Sequence, residues 1–278
     1  VADETFALIE RLGIDCEARR GGFVQPAHAP AALDKLRRRH DQWARHGAPA
    51  RLLDGPQMAD LLGTEGYCGG WVDRRGGTLH PLKFARGLAR AAETRGVTIC
   101  EGTRARSVAR RGGAWQVACG EGTLRSGKIA ILCNAYADGL WPRLARSFVP
   151  VLSFQIATEP LPAEIARTLV PEGYGVSDTR RLLVYFRRGP GDRLMIGGRG
   201  SLRPPRTPVA FDALEQMLRG LFPQIAGAGI GHRWFGRVAM TTDSQPRLHV
   251  LGDGAIAMTG CNGRGVALFP VMGRHIAR

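Results

Sequence analysis

Apolar residues along this 278-residue chain recur with two different periods. Recurrence every three to four residues predicts amphipathic helices, whereas alternation or a short apolar run predicts strands. Several segments with helical spacing of apolar residues begin at a proline and end at a glycine, and these residues mark helix boundaries. Helices are predicted over residues 2–12, 30–46, 55–62, 81–95, 135–145 and 208–222, with another after the Gly/Asn-rich residues 260–263.

Strand patterns fill most of the intervening chain. They cover residues 97–100, 104–109, 115–119, 128–133, 149–158, 182–187, 194–198, 231–237 and 255–259. Residues 14–25 alternate like a short hairpin, and the glycine-rich residues 67–79 predict turns. Helices alternate with strands first and antiparallel strands dominate later. This order predicts a mixed α/β fold, with a nucleotide-binding part interleaved with an antiparallel substrate domain.

The C-terminal pattern is the most informative part of the chain. An apolar run over residues 255–259 stops at glycine, and a turn and a helix follow. Glycine lets a backbone approach a ligand closely. The start of a helix adds unpaired N–H groups and a partial positive charge. We therefore expect residues 260–266, here called the elbow, to hold an electron-rich cofactor.

Composition and charge limit the classes of protein to which the chain can belong. The chain is 44% hydrophobic and 23% charged, which is ordinary for a globular protein. It has no run of about 18 apolar residues, so no membrane span is expected. The net charge is +15, and only three of the 39 basic residues are lysines. Because the arginines are scattered, no nucleic-acid partner is expected, and a basic nucleic-acid-binding protein is the least favoured alternative.

Cysteine and histidine spacing predicts no metal site. The six cysteines form no CxxC motif, and no histidine pairs with them at zinc spacing. Isolated cysteines in apolar runs favour a reducing, cytoplasmic environment.

Two glycine motifs are near matches to nucleotide-binding loops. Residues 122–128 fit most of the phosphate-loop pattern but lack its final hydroxyl and its helix, so a β-turn is predicted. Residues 227–231 lie between a helix and a strand, the reverse of the dinucleotide-binding order, and predict a loop.

Residues 182–188 offer a candidate ligand-binding strand. Side chains alternate along a strand, so Tyr185 and Arg187 are expected on one face. Together they can bind a carboxylate through charge-assisted hydrogen bonds. The alternative is a half-buried strand with charged ends.

Several segments, in order, resemble flavin-dependent amine oxidoreductases. They are residues 80–83, 87–89, 101–103, 134–136, 153–161, 197–200 and 262–266. This superfamily includes D-amino-acid oxidase, glycine oxidase and sarcosine oxidase. The branch that the chain most resembles is that of gamma-glutamylputrescine oxidase-like proteins.

The resemblance implies FAD, covalent or not, and a small-molecule amine or amino-acid substrate. Hydride passes from the carbon beside the nitrogen to the flavin, and the imine hydrolyses. Electrons then pass to molecular oxygen, giving hydrogen peroxide, or to another acceptor. The cofactor itself supplies this chemistry.

The resemblance also implies binding residues, and it leaves any catalytic residue unidentified. Ala105 matches a strand that contacts adenine through its backbone, and Asn134 and Ala135 match a turn near the pyrophosphate. Tyr185 and Arg187 are implied to bind the substrate. The residues implied at the pyrimidine end of the flavin are Asn262, Gly263, Arg264, Gly265 and Val266.

The family pattern divides the chain into four segments. Residues 1–80 form part of the substrate or cap region, and residues 81–148 form part of the FAD-binding domain. Residues 149–240 form the antiparallel substrate domain, and residues 241–278 return to the FAD-binding domain with the elbow.

One family feature has no match. Members open with a strand, a GxGxxG turn and a helix, and residues 1–80 contain no such motif. We therefore expect an N-terminally truncated chain with an incomplete Rossmann-like FAD-binding domain, inactive alone. A non-catalytic remnant or binding module of the same fold is the alternative.

Overall fold

The computed structural model describes residues 1–120, 122–200 and 203–277, and the chain divides into two compact units. The first unit comprises residues 1–85 and 152–236, and the second comprises residues 86–151 and 237–278. The boundaries fall inside one helix and two strands, so the chain passes from unit to unit within regular elements.

Helices and strands alternate through much of the described chain. The helices are α1 (Ala2–Leu12), α2 (Pro30–Ala44), α3 (Gly55–Leu62), α4 (Pro81–Glu93), α5 (Ala163–Ala166), α6 (Asp212–Leu221) and α7 (Gly265–Ile276). The first strands are β1 (Phe23–Pro26), β2 (Ala50–Asp54), β3 (Gly69–Asp73), β4 (Ala105–Arg111), β5 (Ala114–Cys119), β6 (Gly122–Ser126) and β7 (Ile129–Ile131). The later strands are β8 (Val149–Thr158), β9 (Gly175–Ser177), β10 (Val184–Arg188), β11 (Leu194–Arg199), β12 (Ile230–Met240), β13 (Arg247–Gly252) and β14 (Ala255–Thr259). Among the described helices, none is long and apolar enough to cross a membrane.

The first unit is built on one large sheet. Within the described residues its strand order is β12-β8-β11-β10-β9-β1-β3-β2. From β8 to β2 in this order, neighbouring strands are antiparallel, except that β1 and β9 run parallel. Such a sheet can bury one face and leave the other for solvent or ligand.

The core of the first unit lies between this sheet and several helices. Phe186 of β10 packs edge-on against Phe222 after α6, with ring centroids 5.2 Å apart. Phe154 of β8 stacks on Phe211 at 4.7 Å. Ile196 of β11 is 1% exposed in the same cluster. These contacts hold the central strands, which include the candidate binding strand β10.

The second unit contains two three-stranded sheets in the residues described. One has the order β13-β14-β7, with β14 parallel to β7 and antiparallel to β13. The other has the order β4-β5-β6 and is antiparallel. Strand β14 leads into the elbow, and α7 follows it.

Several predicted elements are correct. Helix α1 ends at Gly13, whose φ is +60°, and α3 begins at Asp54 with a capping box formed with Gln57. The hairpin of β10 and β11 and the long strand β8 also lie where the pattern predicted. These elements have strong local signals at both ends.

Other predicted elements are wrong. Residues 14–25 form no hairpin, because β1 pairs with β3 and β9 instead. Residues 67–79 contain the buried strand β3, and residues 97–100 form no strand. Residues 135–145 form no single helix, since short 3-10 turns cover Asn134–Tyr136 and Leu144–Ser147. Residues 122–126 form strand β6, not a β-turn.

Truncating a core residue of β11 tests this packing. Ile196→Ala removes buried methyl and methylene groups, so we expect about 2–5 kcal/mol lower stability. Leu124→Ala is the control, because Leu124 is 60% exposed, and it should cost less than about 0.5 kcal/mol. Urea unfolding followed by circular dichroism measures both. Equal losses would contradict the proposed core.

Candidate functional site

Strand β10 separates a buried face from a polar one. Val184 and Phe186 are buried in the core, whereas Tyr185 and Arg187 are half-buried on the opposite face. Alternation along the strand produces this division. The two residues that the sequence selected for substrate binding therefore share one face of the sheet, and their role stays a prediction.

Cross-strand pairing adds further side chains to this face. Tyr185 pairs with Gly197 of β11, which in turn pairs with Gln155 of β8. Arg187 pairs with Met195 of β11. Residues directly opposite one another in paired strands have neighbouring Cβ atoms. An aromatic ring, an amide, a thioether and a guanidinium therefore lie close together, and we call this set the polar face.

Glycine at position 197 makes room for the ring of Tyr185. A Cβ there would overlap that ring and would lie 2.9 Å from Cγ of Gln155. The Tyr185 hydroxyl forms a hydrogen bond with Oγ of Ser153 and lies 3.5 Å from the carbonyl oxygen of Gly198. Burial raises the pKa of Tyr185, and the bond with Ser153 partly offsets this. The phenol therefore stays neutral at physiological pH.

Arg187 is a half-buried cation with no acceptor among the described residues. No hydrogen bond or ion pair joins its guanidinium to another residue in the described ranges. Burial lowers the pKa of Arg187, Glu17 acts in the opposite direction, and Arg19 adds to the lowering. Glu17 is itself paired with Lys83, whose Nζ lies 2.6 Å from Oε1. An arginine left in this state is suited to bind an anionic group.

Sequence reasoning missed two members of the polar face, Gln155 and Met195, and also Ser153, which forms a hydrogen bond with Tyr185. Ser153 and Gln155 lie in the family-like segment 153–161, but nothing in the sequence singles them out. The signal was present in β8, where these polar residues alternate with Phe154 and Ile156. What the sequence alone lacked was the register that places β8 beside β11 and β11 beside β10.

The elbow is a run of left-handed backbone ahead of α7. The φ angles of Gly260, Asn262 and Gly263 are +77°, +51° and +78°. A Cβ on Gly263 would meet no heavy atom within 4 Å, so this backbone borders open space. The N–H groups of Gly263 and Gly265 have no acceptor among the described residues. Such free donors at a helix start favour an electron-rich ligand.

Asn262 fixes the elbow in this shape. Its Oδ1 accepts a hydrogen bond from the Thr241 N–H at 2.8 Å. Its Nδ2 donates to the Gly260 carbonyl at 2.5 Å and to Oγ1 of Thr241 at 3.1 Å. Its own N–H donates to the carbonyl of Ala239 at 3.0 Å. Asparagine tolerates positive φ better than most residues, which suits it to this position.

Asn134 reaches the elbow from the chain after β7. Its Oδ1 accepts from the N–H of Gly260 at 3.1 Å, and its Nδ2 donates to Sγ of Cys261 at 3.1 Å. Neighbouring Ala135 is 4% exposed and packs against Phe148. The structure thus joins Asn134 to the elbow, although the two segments are far apart in sequence.

The remaining predicted cofactor residues are placed differently. Ala105 begins β4, in a sheet separate from that of β14. Arg264 is exposed, and its guanidinium donates to the carbonyl of Ser244. Val266 lies in the first turn of α7 and is 46% exposed. The side chain of Arg264 therefore already has a partner within the protein.

Within the described residues, no group of three or more histidine, cysteine, aspartate or glutamate side chains is placed to hold a metal ion. The polar face and the elbow are the two candidate sites described above.

Comparison with protein families identifies the chain's relatives. Residues 2–278 match the family described as FAD dependent oxidoreductase. The chain belongs to this family. Its members are enzymes that use FAD.

Curated relatives are longer than this chain. Gamma-glutamylputrescine oxidoreductase of Escherichia coli (strain K12) is 32% identical over 272 residues, which are 97% of this chain and 63% of that protein. Probable oxidoreductase OrdL of Rhizobium meliloti (strain 1021) is 30% identical over 250 residues, 89% of this chain and 58% of that protein. The chain thus spans about six-tenths of these relatives.

Solved structures share the fold. Glycine oxidase from Geobacillus kaustophilus superposes with a TM-score of 0.85 at 23% identity, covering 99% of this chain and 76% of that one. Iminodiacetate oxidase from Chelativorans sp. BNC1 gives a TM-score of 0.79 at 18% identity, covering 98% and 76%. The mixed α/β architecture with a large antiparallel sheet is therefore that of glycine oxidase.

The elbow has features that fit the flavin of FAD. Free N–H groups on Gly263 and Gly265 suit the electron-rich edge of a flavin ring, and the open space beside Gly263 allows close approach. The anchors Asn262 and Asn134 keep this backbone in place. These residues would hold the ring by its edge through main-chain contacts.

Two substitutions of Asn262 separate the two factors that hold the elbow, which are the side-chain hydrogen bonds and the tolerance of left-handed backbone. Asn262→Ala loses the side-chain hydrogen bonds and places a Cβ in left-handed backbone. We expect local opening to become easier by about 1–3 kcal/mol. Asn262→Gly loses the same bonds without that strain and should be about 1 kcal/mol less harmful. Hydrogen exchange at the Thr241 amide measures both, and unchanged exchange would contradict the anchoring role.

Proposed function

We propose that the protein is an FAD-dependent oxidoreductase that oxidises the C–N bond of an amine carrying a carboxylate, such as an amino acid. Family membership supports the cofactor and the class of reaction. The names of relatives support amine and amino-acid substrates, since they include gamma-glutamylputrescine oxidoreductase and D-amino acid dehydrogenase. The substrate's site would be the polar face.

The observation that carries this proposal is the half-buried Arg187 with no acceptor in the described chain. A substrate carboxylate would complete its hydrogen bonding and repay the cost of burying the charge. Tyr185 would supply an aromatic wall, and its hydroxyl would hold the substrate together with Ser153. Gln155 and Met195 would border the rest of the substrate.

The elbow is the proposed site for the flavin ring. The N–H groups of Gly263 and Gly265 and the start of α7 would favour negative charge on the ring. When bound, the flavin supplies hydride acceptance from the carbon beside the substrate nitrogen. Ala105, Asn134 and Ala135 are proposed to contact the rest of FAD, and Arg264 and Val266 to border the ring.

The electron acceptor is proposed to be molecular oxygen, with hydrogen peroxide as the product, or another acceptor. All six cysteines are free thiols. Free thiols favour a reducing compartment, so we propose a cytoplasmic location.

Arg187 and its neighbour Arg188 provide a matched test of the polar face. Arg188 points to the other face, where its Nη1 donates to the Ala166 carbonyl at 3.3 Å. In the enzyme expressed from its complete gene, Arg187→Met should raise KM for a carboxylate-bearing amine about 10- to 100-fold while kcat changes little. Arg188→Met should change KM less than about threefold. Equal effects would refute a substrate role for Arg187.

Gly263 tests the elbow in the same way. Gly263→Ala puts a Cβ into left-handed backbone and into the open space where the ring would approach. We expect flavin affinity to fall at least about tenfold, measured by flavin absorbance after dialysis. Gly273→Ala is the control, because Gly273 lies inside α7 with open space around it. If both variants retain flavin equally, the elbow does not contact the ring.

A further inference from the structure

A buried carboxylate closes the loop that precedes β10. Asp178, which is 2% exposed, follows β9 directly. Its Oδ1 accepts hydrogen bonds from the N–H groups of Arg180 at 3.1 Å and Val184 at 3.0 Å. Its N–H donates to the Val184 carbonyl at 2.8 Å. Asp178 thus fixes the loop and the first residue of β10 by three hydrogen bonds, two accepted by its carboxylate and one donated by its N–H.

The second carboxylate oxygen reaches the core side of β10. Oδ2 of Asp178 accepts from the Tyr67 hydroxyl at 3.4 Å and from the Arg180 guanidinium. The Arg180 guanidinium lies 5.5 Å from the centre of the Tyr67 ring. That ring stacks on Phe186 with centroids 6.3 Å apart. We call Tyr67, Asp178 and Arg180 the clamp, and it contacts β10 at Val184 and at Phe186.

Position along the strand links the clamp to the polar face. Val184 and Phe186 alternate with Tyr185 and Arg187, so a shift of the first pair moves the second. A slip of one residue would exchange the two faces altogether. The loop has a further attachment, because Oγ1 of Thr179 lies 2.8 Å from Nδ1 of His28.

The energetic cost of burying Asp178 indicates a role other than raising the overall stability of the fold. Removing a carboxylate from water is costly unless it is fully hydrogen-bonded, and Asp178 has four donors. Burial raises the pKa of Tyr67, and Asp178 adds to this, so the phenol remains a neutral donor. A buried ion pair is often no more stabilising than apolar residues of the same size, and directional bonds are what it adds.

We propose that Asp178, acting through Arg180 and Tyr67, is a positioning residue that holds β10 where Tyr185 and Arg187 meet the substrate. This inference rests on the proposed function of the polar face. The clamp contacts β10 through the loop before it and on its core face, so its effect on the substrate is indirect.

Asp73 offers a matched control for the test. It accepts hydrogen bonds from the N–H and the guanidinium of Arg75, the same two-residue spacing as in the clamp. It ends β3, which is not paired with β10. Asp178→Asn and Asp73→Asn therefore remove the same charge from similar Asp–Arg pairs, one beside β10 and one away from it.

The experiment uses the flavin-loaded enzyme expressed from its complete gene. Asp178→Asn should raise KM for the carboxylate-bearing amine about fivefold or more, with kcat within about twofold and flavin content unchanged. Amides of residues 184–188 should exchange at least about tenfold faster. Asp73→Asn should change neither. If Asp178→Asn does not fold, Arg180→Met should give smaller changes of the same kind.

The outcomes separate this inference from the proposed function. Unchanged KM and unchanged exchange in Asp178→Asn would overturn the clamp. A rise in KM accompanied by equal losses of kcat and flavin content in both aspartate variants would also overturn it. If the wild-type enzyme oxidises no amine, the proposed function fails. Hydrogen exchange over residues 184–188 then decides alone whether the clamp holds the strand.

Discussion

Side-chain alternation in β10 is the constraint on which the proposed substrate site depends. Phe186 is held in the core against Phe222 and Tyr67, and this contact determines which face Tyr185 and Arg187 occupy. Burying one large apolar side chain such as Phe186 stabilises the fold by a few kcal/mol. The same strand orientation partly buries Arg187. The polar face is thus a consequence of core packing, and Arg187, which has no acceptor among the described residues, is its candidate ligand-binding group.

The elbow obeys a different constraint, which is backbone conformation. Three residues in left-handed conformation turn the chain from β14 into α7, and Asn262 holds the turn by hydrogen bonds to Thr241 and Gly260. Left-handed backbone is costly for residues other than glycine and asparagine, so the sequence there is restricted. The result is a main-chain edge on which the N–H groups of Gly263 and Gly265 have no acceptor among the described residues, and such an edge suits the electron-rich edge of a planar ring.

The sequence predicted elements whose signals are local. The bounds of α3, the paired strands β10 and β11, and the turn and helix that follow β14 each have their signals within a few residues, and these elements were predicted correctly. Strand β3 was missed because its glycines resemble turns. They serve close packing instead, since a Cβ on Gly70 would lie 2.5 Å from the carbonyl oxygen of Gln25. Residues 97–100 have the composition of a strand but no neighbour to pair with in the described chain. The same limit applied to the site, because Gln155 and Met195 join Tyr185 and Arg187 only through cross-strand register.

The most direct test of the account is anaerobic mixing of the protein, expressed from its complete gene and purified in yellow form, with carboxylate-bearing amines. The account predicts that at least one such amine bleaches the flavin absorbance, and that the Arg187→Met variant needs a concentration about tenfold or more higher for the same rate. Protein that contains no flavin, or flavin that no amine reduces, would contradict it.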